Sequence, residues 1–126
     1  LQGDYAIGHN RYSTTGENAL RNIQPFFADT NAGGVGVAHN GNLTNSISLR
    51  KKLVEDGAIF YTTSDTETIV QLIAKSKRSK TIDKIVDAAQ YNRTPDGNLI
   101  PKISIITGDK YNNCFCFGST IIIFWE

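Results

Sequence analysis

The sequence lacks several features that mark specialised classes of protein. It contains no methionine, three prolines and two cysteines in 126 residues. Two cysteines so close together cannot form the disulfide framework of a small secreted domain, and an intracellular location is the default. No basic segment precedes an apolar run at the start, so no signal peptide is predicted. Because no methionine is present to start translation, we expect coding sequence upstream of Leu1.

An excess of one charge and long apolar runs are also missing. Thirteen basic and twelve acidic residues leave a formal net charge of +1, which gives no reason to expect nucleic acid or a membrane as a partner. The longest apolar run, within residues 120–125, is far shorter than the ~20 residues that span a bilayer. A hydrophobic content of 40% is sufficient for a core. We therefore predict one small globular domain, or part of a larger one, in the cytoplasm.

The predicted elements come in the order strands, helices, strands, which is typical of an α+β fold. Residues 15–32, rich in Gly, Asn and Asp, are predicted to be a loop. Ser64 and Glu67 have the spacing of a capping box, and Gly57 is a helix-ending signal. The predicted strands cover residues 5–14, 33–38, 59–63, 100–107 and 114–125, the last two as a possible hairpin. The predicted helices cover residues 43–55, 65–76 and about 82–89.

The segment GHNRYST contains the first residues with useful chemistry. In a strand, His9 and Arg11 point to the same face, with Thr14 close by. An arginine so placed can clamp a carboxylate through two parallel hydrogen bonds. The alternative is a solvated arginine and a hydrogen-bonded histidine on a half-exposed strand.

Two further segments contain candidate site residues. Asn40 and Gly41 could form an oxyanion hole from a side-chain amide and a backbone N–H, worth about 3 kcal/mol per donor. The alternative is an ordinary Asn-Gly hairpin turn. Asp65 falls in the first turn of a predicted helix, where the helix dipole favours a carboxylate. It could bind a ligand ammonium, or it could simply cap the helix.

The cysteines give a weaker signal. Cys114 and Cys116 would share one strand face, but no second ligand pair accompanies them, as a metal site would require. The alternative, two small apolar side chains in a core, is favoured. We predict no metal site and no cofactor in this chain.

Taken together and in order, the segments GHNRYSTTG, NIQPF, AHNGNLTN, LRKKL and TTSDTETI resemble the glutaminase domain of the amidophosphoribosyltransferases. These are class II glutamine amidotransferases. The resemblance covers about residues 1–89 and implies the N-terminal-nucleophile hydrolase fold, a four-layer αββα sandwich that is incomplete here. Residues 1–90 are thus predicted to be a partial glutaminase domain. Residues 91–126 are predicted to be a divergent, strand-rich tail whose packing the sequence does not define.

The resemblance also implies a reaction. An N-terminal cysteine attacks the side-chain amide of glutamine, with its own α-amino group as base. The ammonia passes to phosphoribosyl pyrophosphate and gives 5-phosphoribosylamine, the first step of purine biosynthesis. By motif position, Arg11 with Thr14 beside it would hold the glutamine α-carboxylate, and Asp65 would hold the α-ammonium. Asn40 and Gly41 would form the oxyanion hole, with His9 in a supporting position.

Two departures from the family pattern set limits on this chain. The nucleophilic cysteine belongs upstream of Leu1, and without it we expect no covalent catalysis. The transferase domain, with its phosphoribosyl pyrophosphate and Mg²⁺ sites, is also absent from the sequence. The parent enzyme is expected to be a homo-oligomer, and these residues do not define whether it holds an iron–sulfur cluster.

Two alternative functions stay open. One is the glutaminase half of the glucosamine-6-phosphate-forming aminotransferase, which shares the HNG and D-T-E patterns. The Arg-Tyr dipeptide and the segments NIQPF and AHNGNLTN favour the amidophosphoribosyltransferases instead. The other is a degenerate domain that binds glutamine, or a partner subunit, without turning it over, and the missing nucleophile supports it.

Overall fold

The computed structural model describes residues 7–10, 18–91, 103–106, 114–117 and 120–125. Within them, a short 3-10 helix at Leu20–Asn22 precedes the first strand. The strands are β1 (Phe26–Thr30), β2 (Gly33–His39), β3 (Ile103–Ile106), β4 (Cys114–Phe117) and β5 (Thr120–Trp125). The helices are α1 (Ser46–Glu55), α2 (Asp65–Lys75) and α3 (Thr81–Tyr91).

The described strands form one antiparallel sheet in the order β1-β2-β5-β4-β3. β2 lies between β1 and β5 and is buried from Gly34 to His39, which suits its small and β-branched residues. β1 ends its pairing with β2 at Phe26 opposite Val37, so it does not reach His39. On the other side, β5 continues to the end of β2 and pairs Thr120 with His39.

The helices cover this sheet through α2. α2 packs on β1 and β2, and both α1 and α3 pack on α2. The apolar side chains that meet here are removed from water, which stabilises the fold by roughly 1.5–3 kcal/mol for each large one. The central members of this core are Val35, Val37, Leu53, Ile69, Ile73 and Ile85. The core fixes the end of β2 beside the start of α2.

The sequence prediction of a loop over residues 15–32 is wrong where β1 lies. Phe26, Ala28 and Thr30 are half-buried and alternate with exposed Phe27 and Asp29, which is the period of a half-buried strand. The neighbouring Gly, Asn and Asp residues concealed this short alternation. Pairing with β2 provides the hydrogen bonds that make the segment a strand.

The predicted strand over residues 59–63 is also wrong. The segment joins no ladder in the part of the chain that the structure describes. Side chains from two helices bind its backbone instead. The carboxylate of Glu67 accepts hydrogen bonds from the Thr62 backbone N–H and hydroxyl, both at 2.7 Å, and Arg50 donates to the Thr62 carbonyl oxygen at 2.7 Å. These bonds take the place of a neighbouring strand.

The helix predictions are confirmed with changes at their ends. α1 begins three residues later than predicted, since residues 43–45 form a turn. It ends at the predicted glycine, because Gly57 has a φ of 90°. The predicted capping box does not form: Ser64 accepts a hydrogen bond from the Thr66 N–H at 3.3 Å, while Glu67 binds Thr62.

The strand predictions at the two ends of the chain have different outcomes. The predicted hairpin is confirmed by the pairing of β3 with β4, but the predicted strand over residues 114–125 is divided into β4 and β5, which pair with each other. Of the strand predicted over residues 5–14, residues 7–10 have no regular structure, and the rest lies outside the described residues.

We expect Glu67→Ala to destabilise the chain by about 1–3 kcal/mol, because the Thr62 N–H and hydroxyl would lose their acceptor. The matched control is Glu55→Ala, which removes only an exposed pair with Lys51 at 4.0 Å and should cost less than about 0.5 kcal/mol. Urea denaturation of the 126-residue chain measures both values. Equal effects of the two substitutions would contradict the assigned role of Glu67.

Candidate functional site

The turn after β2 and the start of α2 meet at one carboxylate. The backbone N–H of Leu43 donates to Asp65 Oδ2 at 2.9 Å. His39 Nε2 lies 3.7 Å from the same oxygen. The turn formed by residues 39–43 therefore contacts Asp65 at both of its ends. Asn40 and Gly41, the predicted oxyanion donors, lie between these two contacts.

Gly41 lies directly against the His39 imidazole. A Cβ atom at position 41 would overlap Cε1 of His39 and would lie 2.9 Å from Nε2. Only hydrogen fits there without displacing the ring. Gly41 is half-buried and Asn40 is exposed. The histidine ring thus lies between the glycine of the turn and Asp65, close to both.

The electrostatics of this arrangement leave the negative charge of Asp65 available to a ligand. Burial lowers the pKa of His39, Asp65 opposes that change, and a positive His9 would lower the pKa further. The His39 ring is therefore neutral at neutral pH and does not compensate the carboxylate. Asp65 is itself buried at the first position of α2, where the helix dipole favours an anion. This is a suitable binding site for an ammonium group.

The structure brings together some of the predicted site residues. Asp65 and the Asn40–Gly41 turn are in one place, as described above. His9 is partly buried, and its Nε2 has no hydrogen-bond partner among the described residues. A positive charge on His9 would lower the pKa of His39. Arg11 and Thr14 lie outside the described residues, so their roles stay predictions.

His39 is the site residue that the sequence analysis did not assign. It precedes the Asn-Gly pair in the segment AHNGNLTN, so the motif itself contained the signal. What the sequence could not give is the partner, because Asp65 is 26 positions further along the chain. The packing of α2 against β2 brings the two side chains together.

A cavity of about 620 Å³ lies elsewhere, between the three helices. Its lining includes Leu49 and Lys52 from α1, Leu72 and Lys75 from α2, and Asp87 from α3. None of the predicted site residues lines it. This cavity is therefore separate from the turn that contacts Asp65.

The described part of the chain contains neither a metal-binding cluster nor a membrane-spanning helix. There, no group of three or more His, Cys, Asp or Glu side chains could hold a metal ion. Cys114 and Cys116 are both residues of β4. The helices in those same residues are too short or too polar to cross a bilayer.

Comparison with known proteins identifies the class of protein to which such a site belongs. A family model described as a glutamine amidotransferase domain matches residues 9–89. Amidophosphoribosyltransferase of Rhizobium etli is 52% identical over 88 residues, which are 70% of this chain and 18% of that protein. Amidophosphoribosyltransferase 2, chloroplastic, of Arabidopsis thaliana is 56% identical over 90 residues, which are 71% of this chain and 16% of that protein.

A solved structure gives the same result for the fold. Glutamine phosphoribosylpyrophosphate amidotransferase from B. subtilis, complexed with ADP and GMP, superimposes with a TM-score of 0.57 at 25% identity. The match covers 84% of this chain and 25% of that one. The predicted fold class, α+β of the N-terminal-nucleophile hydrolase type, is thereby confirmed, and the described residues supply one sheet of it with three helices.

The chain belongs to the glutamine amidotransferase domain family, since the family model matches more than half of it. It spans less than a fifth of the length of the curated relatives described above. The similarity therefore concerns the glutaminase portion of those proteins.

We expect Gly41→Ala to destabilise the chain by about 1–3 kcal/mol, because the new methyl group must displace the His39 ring. Gly8→Ala is the matched control: among the described residues no neighbouring atom lies within 4 Å of the position its Cβ would take, so its effect should be within about 0.5 kcal/mol. Thermal or urea unfolding measures both. A Gly41→Ala variant as stable as Gly8→Ala would show that the ring does not lie against the turn.

The lowered pKa of His39 predicts a pH dependence of stability. In the unfolded chain this residue takes up a proton near its ordinary pKa of ~6.5, whereas in the folded chain burial delays that uptake to lower pH. The unfolded state therefore binds more protons as the pH falls below ~6.5, and the free energy of unfolding decreases. Replacing His39 by Gln should remove this contribution. Unfolding curves between about pH 7.5 and about pH 5.5 test this prediction. An equal slope of the free energy of unfolding against pH for wild type and variant would contradict it.

Proposed function

We propose that this chain is the glutamine-binding part of a glutaminase that feeds ammonia to phosphoribosyl pyrophosphate. The observation that supports it best is the contact of the 39–43 turn with Asp65, because the proposed oxyanion donors lie in that turn and Asp65 is the proposed partner of the ammonium. Family membership and the names of the relatives agree with this proposal. The wider activity is proposed because the chain spans only a small share of those relatives.

Glutamine needs three kinds of recognition in the proposed site. Its α-ammonium pairs with Asp65, whose charge His39 leaves uncompensated. Its α-carboxylate is assigned to the guanidinium of Arg11, with Thr14 beside it. Its side-chain carbonyl oxygen is directed at the Asn40 amide and the Gly41 N–H. A free amino acid held at both of its charged groups has a fixed orientation, and this places its amide at the oxyanion donors.

The reaction assigned to this site is acyl transfer to a thiolate. The sulfur atom attacks the side-chain carbonyl carbon of glutamine, and the carbonyl oxygen becomes an oxyanion that accepts hydrogen bonds from Asn40 and Gly41. The C–N bond then breaks, the nitrogen takes up a proton and ammonia leaves. Water hydrolyses the thioester to glutamate and regenerates the thiol. Cys114 and Cys116 are internal and have no free α-amino group, so neither is assigned as this nucleophile.

The proposal extends to the rest of the protein. Phosphoribosyl pyrophosphate is the proposed ammonia acceptor, the product is 5-phosphoribosylamine, and the intact enzyme is proposed to be a homo-oligomer. We propose a cytoplasmic location, whereas the name of the Arabidopsis relative places that protein in the chloroplast. The acceptor is tested with the complete protein encoded by the gene: ammonia transfer to fructose 6-phosphate instead would identify the aminotransferase alternative.

A graft tests the glutaminase assignment directly. Residues 9–89 replace the matching segment of the Rhizobium etli relative, and ammonia release from glutamine is measured. We expect the graft to release ammonia from glutamine. We expect Asp65→Asn in the graft to raise the KM for glutamine at least about 30-fold, or about 2 kcal/mol, because the ligand ammonium loses its partner.

The matched control for that substitution is Asp83→Asn. Asp83 is also in the first turn of a helix, α3, but is exposed and distant in sequence from the turn. Its replacement should leave the KM within about 2-fold. A graft that releases no ammonia, or in which the two variants behave alike, would overturn the proposed function.

A further inference from the structure

Two amide side chains of the short segment Asn22–Gln24 bind the two halves of the candidate site. Gln24 accepts a hydrogen bond from the His39 backbone N–H at 2.7 Å and donates one to the His39 carbonyl oxygen at 3.2 Å. Asn22 accepts one from the Thr63 backbone N–H at 3.0 Å and donates one to the Thr63 hydroxyl at 2.7 Å. These four bonds link positions that are 15 and 41 residues apart.

The bonds from Gln24 continue the sheet beyond the end of β1. The last pair between β1 and β2 is Phe26 with Val37, so β1 does not extend to His39. The amide of Gln24 provides the donor and the acceptor that a neighbouring strand would provide there. Since Asn40 follows His39 directly, these bonds determine the direction in which the turn leaves the sheet.

The hydrogen bonds of Asn22 hold the other half of the site, the segment that leads into α2. Thr63 lies immediately before Ser64, the N-cap of α2, and Asp65 is the first residue of that helix. Asn22 is 3% exposed, so burial shields its amide from competing water, whereas its partner Thr63 is exposed. Fixing Thr63 fixes the position at which α2 begins, and with it the Asp65 carboxylate.

We propose that Asn22 and Gln24 are positioning residues, which set the separation between the Asn40–Gly41 turn and Asp65. Only Ile23 stands between them, so the distance between the two bonded points is determined by one short piece of backbone. The separation must match the length of glutamine, whose ammonium and side-chain carbonyl oxygen lie at its two ends. The inference rests on the proposed function.

The two residues should have different kinetic effects. Replacing Gln24 disturbs the oxyanion donors, which act in the transition state. Replacing Asn22 disturbs the carboxylate that binds the substrate. In the graft into the Rhizobium etli relative, we expect Gln24→Met to lower kcat about 10- to 100-fold with the KM for glutamine within about 3-fold. We expect Asn22→Leu to raise that KM about 10-fold with kcat within about 3-fold.

Conservative and matched variants separate positioning from general stability. Gln24→Glu keeps the acceptor for the His39 N–H and should recover part of the lost kcat. Gln71→Met is the control for Gln24→Met, since the Gln71 amide also donates to a backbone carbonyl, that of Ile59, at 2.7 Å. It should leave both kinetic constants within about 2-fold.

NMR spectroscopy of the 126-residue chain tests the geometry without requiring glutaminase activity. In ¹⁵N-labelled 126-residue protein, Gln24→Met should shift the amide resonances of Asn40 and Gly41, and Asn22→Leu should shift those of Ser64 and Asp65. Gln71→Met should shift neither pair. Absence of these shifts would overturn the inference.

The outcomes distinguish the inference from the function on which it rests. A graft that releases no ammonia overturns the proposed function, and the inference falls with it. An active graft in which both variants change kcat and KM in parallel, in proportion to a loss of unfolding free energy, overturns the inference alone. A lower kcat in Gln24→Met and a higher KM for glutamine in Asn22→Leu, together with the expected resonance shifts, would establish it.

Discussion

The carboxylate of Asp65 is the contact on which the candidate site depends. A buried carboxylate is costly unless hydrogen bonds replace its lost hydration. Here the Leu43 N–H donates to it and the α2 N-terminus stabilises its charge, but His39, whose Nε2 lies 3.7 Å away, is kept neutral by burial. The carboxylate is thus stabilised without being neutralised. This combination allows one group both to fix the turn and to bind a ligand cation.

The architecture around this contact explains why it forms where it does. β2 lies in the interior of the sheet between β1 and β5 and ends at His39. α2 packs across β1 and β2, so its first residue is held close to the end of β2. β5, from the part of the chain predicted to be a divergent tail, contributes the second neighbour of β2. The boundary between residues 1–90 and 91–126 stays a prediction.

Local sequence patterns predicted those helices and strands that depend on residues close together in the sequence. The apolar spacing of α2 and α3, the small-residue strand β2 and the glycine that ends α1 all depend on neighbours within a few residues. β1 was missed because its alternation is short and lies among loop-forming residues. The predicted strand at residues 59–63 was wrong because side chains of Arg50 and Glu67 bind its backbone, and no local pattern indicates such partners.

The candidate site was predicted from the order of the motifs more than from the spacing within any one of them. Asn40, Gly41 and Asp65 were each ambiguous alone, and the family resemblance joined them. The roles of His39, Gln24 and Asn22 depend on contacts across 15 to 41 positions, which only the folded chain provides. Arg11 and Thr14 stay assigned by the resemblance.

The 39–43 turn and Asp65 are proposed to form one binding site for a free amino acid. A crystal structure of the 126-residue chain with glutamine at saturating concentration tests it most directly. We expect the glutamine ammonium within about 3 Å of an Asp65 carboxylate oxygen and the side-chain carbonyl oxygen within about 3 Å of the Gly41 nitrogen. Glutamine bound elsewhere, or no glutamine at this turn, would contradict it.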